Sequence, residues 1–195
     1  MNFLGHAWYS GDENDEFLAG NVFGDFIKGK IENQGLPIGI VKGITYHRYL
    51  DTVGDKCRGF IKLRELLGHE FGHYRGVIAD VFIDHLLTVN WDSYNKVSLD
   101  SFATDTYRRI SRSVHFFPDL TIRVFEYMQR DNWFVRNRDL FEIEKTLQRI
   151  ENRAGNLVPI CLSVEILRQR PGDFNSAFHE FMQEMIILAG KNKLL

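Results

Sequence analysis

The chain has 195 residues, 44% of them hydrophobic, 26% charged and 13% aromatic. That mixture excludes a disordered or fibrous polypeptide and suits a single compact domain spanning 1–195. Lys and Arg number 24 against 26 Asp and Glu, a formal net charge of −2, so no uniform field draws the protein to nucleic acid or anionic lipid, and neither is expected as a partner.

The opening residues 1–7 carry no basic stretch and no long apolar run, and nowhere does an apolar run approach the ~18 residues needed to span a bilayer. From there apolar residues recur at three and four, and there are only 4 prolines, which predicts an all-α, single-domain helical bundle. Amphipathic segments fall at 15–28, 38–51, 57–67, 76–90, 99–114, 120–130, 138–153, 157–168 and 173–189. The stretches 29–37 and 91–98 read as short connections. Pro118-Asp119 and Pro171-Gly172-Asp173 mark helix starts, Gly190 closes the last apolar stripe, and the tail 191–195 is expected to fray. No repeat or linker divides the chain. Cys57 and Cys161 lie far apart, without CxxC or Cys/His spacing, so neither a disulfide framework nor a cysteine zinc site is expected, and a reducing cytoplasm is the expected location.

The chemistry concentrates in the first 85 residues, where acids and histidines interrupt apolar stripes instead of lying on polar faces. Asp80 and Asp84 are four apart within Ile78–Leu87, so on a helix they project from one face about 40° apart. Carboxylates among Val81, Phe82, Ile83 and Leu86 are costly unless a positive group meets them, and a bound metal would do so. His85 adjoins Asp84. His47 and Asp51 repeat the four-residue spacing, while His6 and Asp25 lie in apolar surroundings of their own. Carboxylate with imidazole suits Mn²⁺, Fe²⁺ or Zn²⁺. Each residue alone reads as a satisfied core or capping group; seven together, with two such pairs, point to a site.

A competing pattern is His69-Glu70-Phe71-Gly72-His73, which fits the zinc-protease motif H-E-x-x-H. Its surroundings from Gly68 to Gly76 are polar and carry three glycines, which disfavours the helix the motif requires. Ala79 stands where the longer form of that motif has a third histidine.

Five blocks taken together carry a resemblance: Met1-Asn2-Phe3-Leu4-Gly5-His6-Ala7, Gly20-Asn21-Val22-Phe23-Gly24-Asp25-Phe26, Gly43-Ile44-Thr45-Tyr46-His47-Arg48-Tyr49-Leu50-Asp51, Asp80-Val81-Phe82-Ile83-Asp84-His85 and Trp133-Phe134-Val135-Arg136-Asn137-Arg138-Asp139. In order and spacing the chain resembles the acyl carrier protein phosphodiesterase family, whose members are similar to HD-type metal-dependent phosphohydrolases. Beyond about Arg153 the likeness is one of helical character and length. Gly5 stands where the family more often has Ala, and the His69–His73 pattern is no part of its signature.

The resemblance implies an all-α, HD-phosphohydrolase-like fold. It also implies hydrolysis of the phosphodiester joining 4′-phosphopantetheine to a serine of holo acyl carrier protein, giving apo carrier protein and 4′-phosphopantetheine. A divalent metal follows, Mn²⁺ foremost, with Mg²⁺, Fe²⁺ and Zn²⁺ as alternatives. By position in the family, Asp25, His47, Asp84 and His85 are expected to hold the metal. His6, Asp51 and Asp80 complete the shell or handle protons, with His6 chosen to protonate the leaving serine oxygen, and Arg48 contacts phosphate. The carrier protein is acidic, so a basic docking surface is expected at Arg108, Arg109 and Arg112 or at Arg130, Arg136 and Arg138. The alternatives are a phosphohydrolase acting on a nucleotide or other small phosphoester, and a non-catalytic helical interaction protein. Oligomeric state is left open.

Overall fold

The computed structural model describes residues 2–31 and 34–192, with side chains up to residue 190. Among the described residues there are twelve α-helices and no strand: α1 (Phe3–Ser10), α2 (Asp15–Val22), α3 (Ile38–Gly54), α4 (Arg58–Leu66), α5 (Arg75–Val89), α6 (Trp91–Tyr94), α7 (Leu99–Ile110), α8 (Asp119–Arg130), α9 (Trp133–Arg136), α10 (Leu140–Arg153), α11 (Ser163–Gln169) and α12 (Pro171–Asn192). The all-α expectation holds. None of these helices is long and apolar enough to cross a membrane.

The helices group by contact into two compact units, each discontinuous in sequence. One contains Leu50–Val89 and the described part of Asn137–Leu195. Its central helix is α5, buried almost all round from Ile78 to Thr88, which is why its sequence shows apolar residues on every face instead of one stripe. Helices α4 and α12 approach closely because Gly59 has no side chain; a Cβ there would lie 2.2 Å from the Phe181 nitrogen and 2.5 Å from the Ala177 oxygen. At the edges of that contact, Lys62 pairs with Glu180 at 2.6 Å and Glu184 accepts from the Arg58 amide at 2.8 Å.

The other unit contains Phe3–Tyr49 and Asn90–Arg136. Much of the aromatic content packs here: Phe23 meets Phe3, Phe26, Phe117 and Phe125 at ring separations of 5.8–6.2 Å. Phe134 stacks on Tyr107 at 5.0 Å, and its amide donates to the Tyr107 hydroxyl. Helices α2 and α3 cross at two glycines. A Cβ on Gly20 would lie 2.4 Å from the Ile40 oxygen, and one on Gly43 would lie 2.2 Å from the Phe17 oxygen and 2.8 Å from the Asn21 nitrogen. No other residue type permits that approach.

Six sequence expectations change. In 99–114 the helix ends at Ile110, and in 157–168 it begins only at Ser163, after a 3₁₀ turn at Ile160–Leu162. The segment 15–28 is not one helix: α2 stops at Val22 and a 3₁₀ turn follows at Gly24–Phe26, for a reason given below. The opening residues form α1, missed because Leu4, Gly5, His6, Ala7, Tyr9 and Ser10 are all buried and leave no amphipathic pattern. The connection at 91–98 contains the single turn α6. Helix α12 runs on through Gly190 to Asn192, while residues 193–195 of the expected fraying tail lie outside the described residues.

Candidate metal centre

Helix α3 begins after Pro37, where the Glu16 carboxylate accepts from the Gly39 amide at 3.2 Å, and runs unbroken to Gly54. It carries His47 and, one turn on, Asp51. Although Asp51 lies just past the boundary between the compact units, its position relative to His47 is set by the helix on which both stand. His6 is on α1. The rings of His6 and His47 stack with centres 3.9 Å apart and planes 19° from parallel, and both residues are buried. His6, His47 and Asp51 offer ligand atoms that lie within 4.8 Å of one another.

Each imidazole is anchored through Nδ1, and both anchors are on Asn21. The His47 Nδ1 lies 2.6 Å from the Asn21 backbone oxygen, and the His6 Nδ1 lies 3.1 Å from Asn21 Oδ1. The ring space for His47 comes from Gly24, where a Cβ would lie 2.5 Å from His47 Cγ. The same turn puts an exposed carboxylate near the ring: Asp25 Oδ1 is 3.5 Å from His47 Nε2. With both Nδ1 atoms tied back, the Nε2 atoms remain as the ligating nitrogens. Imidazole held through its second nitrogen is the usual arrangement of a metal-binding histidine. Two imidazole nitrogens with carboxylate oxygen suit Mn²⁺, Fe²⁺ or Zn²⁺, so these residues fit a divalent ion.

The remaining expected residues lie as follows. Arg48 Nη2 donates to the carbonyls of Ile27 at 3.0 Å and Gly29 at 3.2 Å, bracing the segment that follows Asp25 against α3. On α5, Asp80 is half-buried and Asp84 fully buried. Desolvation raises the Asp80 carboxyl above the ordinary aspartate value, and the Asp51 and Asp55 carboxylates push it the same way. His85 is 6% exposed; its Nδ1 donates to the Asn137 oxygen at 2.8 Å, and the ring lines a cleft of about 500 Å³ with Leu86, Leu140, Leu167 and Arg168. Burial holds its pKa below 6.5. Asp84 and His85 are not part of the close His6, His47 and Asp51 group.

The zinc-protease pattern is absent as structure. Residues 68–74 form turns and a 3₁₀ turn at Gly72–Tyr74, with Gly68 and Gly72 at φ +78° and +50°, so His69 and His73 share no helical face and both are exposed. Asn21, by contrast, was not singled out as a functional residue in the sequence. A buried residue that meets one ring through its side-chain amide and another through its backbone carbonyl leaves no periodic or charge signal; the one clue was its place in the run Gly20-Asn21-Val22-Phe23-Gly24-Asp25, where small and polar residues interrupt an apolar helix.

Fold and site together describe an all-helical protein with a His–His–Asp group, its histidines buried and its aspartate half-buried, suited to a divalent metal. The family model described as acyl carrier protein phosphodiesterase matches residues 1–185, and the chain belongs to that family. A relative from Photorhabdus laumondii named acyl carrier protein phosphodiesterase is 28% identical over 187 residues, covering 95% of this chain and 93% of its own length. Relatives of the same name from Enterobacter and from Salmonella paratyphi A are each 26% identical, with full coverage of both chains. No solved structure matches the chain.

Proposed function

We propose that this protein hydrolyses the phosphodiester between 4′-phosphopantetheine and the serine of holo acyl carrier protein. Water adds to phosphorus, the bond from phosphorus to the serine oxygen breaks, and that oxygen takes a proton, giving apo carrier protein and 4′-phosphopantetheine. The observation that carries this reading is the convergence of His6, His47 and Asp51 in a chain of the phosphodiesterase family. A bound divalent ion, Mn²⁺ foremost, with Mg²⁺, Fe²⁺ and Zn²⁺ as alternatives, supplies charge neutralisation at a phosphoryl oxygen and acidifies water.

In this reading His6, His47 and Asp51 hold the ion, and Asp25, beside His47 and open to solvent, completes the donor set. Asp80 holds a proton more readily than an ordinary aspartate and delivers it to the leaving serine oxygen, a role the sequence alone assigned to His6. Arg48 keeps the Asp25 segment in place. The fold is HD-phosphohydrolase-like, the chain acts as one domain, and the reaction belongs to the cytoplasm, with Cys57 and Cys161 as free thiols.

We place carrier-protein docking at Arg130, Arg136 and Arg138. In the other basic run Arg109 and Arg112 are turned onto the two oxygens of Asp15 at 2.9 and 2.8 Å, and Arg108 pairs with Asp105 at 2.5 Å. Arg130 is likewise paired with Asp131 at 2.8 and 3.0 Å, so the preference rests on the aromatic beside it. Burial alone would raise the Asp15 carboxyl, but Arg109 and Arg112 together hold it below its ordinary value. Arg130 lies at the surface, its guanidinium 4.8 Å from the Tyr127 ring centre, and arginine beside an aromatic is a common interface anchor.

The test compares two substrates at equal Mn²⁺: holo acyl carrier protein, followed by release of 4′-phosphopantetheine, and a small aryl phosphodiester. The proposal expects efficient cleavage of the carrier protein and a loss of at least about 100-fold in Asp51→Asn. Cleavage of the small diester with the carrier protein untouched would favour the small-phosphoester reading.

A further inference from the structure

We propose that Asn21 is a positioning residue that sets the tautomer of both His6 and His47, so that one residue, through its side chain and its backbone carbonyl, aims two imidazoles at one ion. The inference rests on the assignment of these histidines as metal-holding residues, but the hydrogen bonds on which it depends belong to the protein alone.

For His47 the acceptor is a backbone carbonyl at 2.6 Å. A carbonyl only accepts, so His47 Nδ1 must carry the hydrogen, and in the neutral ring Nε2 carries the lone pair. That carbonyl is available because α2 ends at Val22. Asn21 then lies in the last turn, where carbonyl oxygens have no partner within the helix. Had the helix continued to residue 28, as its sequence suggested, the oxygen would have been taken by the backbone amide four residues on. The break before Gly24 therefore does two things at once: it leaves room for the His47 ring and frees the oxygen that orients it.

For His6 the acceptor is the Asn21 side chain, and its orientation is fixed by its other contacts. Asn21 Nδ2 donates to the His6 carbonyl at 2.7 Å and to Ser10 Oγ at 2.9 Å. The Ser10 hydroxyl uses its own hydrogen on the same His6 carbonyl, at 3.0 Å, which leaves its oxygen as an acceptor. Exchanging the amide oxygen and nitrogen would set oxygen against oxygen at the His6 carbonyl, so Oδ1 faces His6 Nδ1, and that nitrogen carries the hydrogen. Asn21 and Ser10 are both completely buried, so water does not compete for these bonds. Both rings are thereby held with Nε2 as the lone-pair nitrogen, the form that binds a metal. The two anchors differ in kind. His6 depends on the Asn21 side chain, His47 only on its backbone.

That difference makes the proposal testable without metal or substrate. The readout is the tautomeric state of His6 and His47 in ¹⁵N-labelled, EDTA-treated protein at pH 8, read from the nitrogen shifts and ring couplings and assigned with His6→Gln and His47→Gln. The wild type is expected to show both rings protonated at Nδ1. In Asn21→Ala, His6 is expected to move to the Nε2-protonated form or a mixture while His47 stays as it was, with Mn²⁺ affinity reduced about 10–100-fold. Asn21→Leu, close in shape to Asn but with no accepting oxygen, is expected to shift His6 in the same way and decides the matter should Asn21→Ala not fold. Nε2 protonation of either ring in the wild type, or an unchanged His6 tautomer in a folded Asn21→Ala, overturns the proposal. Turnover enters none of these readings, so failure here is separable from failure of the proposed reaction.

Discussion

The imidazoles of His6 and His47 lie face to face, 3.9 Å between centres, although one ring comes from α1 and the other from α3. Removing either ring takes away a nitrogen donor and the packing surface of its neighbour. His6→Ala and His47→Ala are each expected to lower Mn²⁺ affinity by more than the about 10–100-fold typical of losing an outer-shell partner. Competition against a chromophoric chelator measures this directly, and affinity near the wild type in either variant would remove that residue from the donor set.

Gly24→Ala should injure the site more than the fold. The added methyl would meet the His47 ring at 2.5 Å, so the imidazole must move. Metal affinity is expected to fall at least about tenfold while the helical circular dichroism signal persists. Undiminished Mn²⁺ binding in the same titration would show that the ring tolerates displacement.

The α2–α3 crossing predicts a contrast between two glycines. Gly43→Ala drives a methyl to 2.2 Å from the Phe17 oxygen, backbone that cannot yield cheaply, whereas a Cβ on Gly76 meets nothing within 4 Å. Overpacking of this kind costs about 1–3 kcal/mol, a fall of about 2–12 °C in Tm for a chain of this length. Gly76→Ala, in the first turn of α5, is expected to be neutral or to stabilise by up to about 1 kcal/mol. Differential scanning calorimetry separates the two.

His85 gives a pH dependence of definite sign. Burial holds its pKa below 6.5 in the folded chain, with the Asn137 carbonyl and Asp139 opposing the shift in part. A depressed imidazole binds fewer protons folded than unfolded, so its contribution to stability is whole above about 6.5 and is lost as pH falls below that value. His85→Gln is therefore expected to lose less Tm between pH 7 and pH 5 than the wild type, and parallel curves would contradict the assignment.

The larger helices were legible because their polar and apolar faces separate: α7, α8 and α10 each bury a single stripe, and α8 begins at the Pro118-Asp119 signal. Helix α1 was invisible for the opposite reason, since it is buried nearly all round. The end of α2 was misjudged because a tertiary contact, the His47 ring against Gly24, overrides a sequence that could have continued as helix. At the site, the four-residue spacing of His47 and Asp51 was readable on one helix. Their meeting with His6 was not, because it depends on two glycines crossing and on the Asn21 amide. The expected division between metal-holding and proton-handling residues likewise rested on position in the family, and His6 and Asp51 stand with His47 instead of apart from it.

The most direct test is intact mass spectrometry of holo acyl carrier protein incubated with this protein, in parallel with Mn²⁺ and with EDTA. The account predicts conversion to apo carrier protein with free 4′-phosphopantetheine in the Mn²⁺ sample alone. An unchanged carrier-protein mass in the presence of folded, Mn²⁺-loaded protein would contradict it.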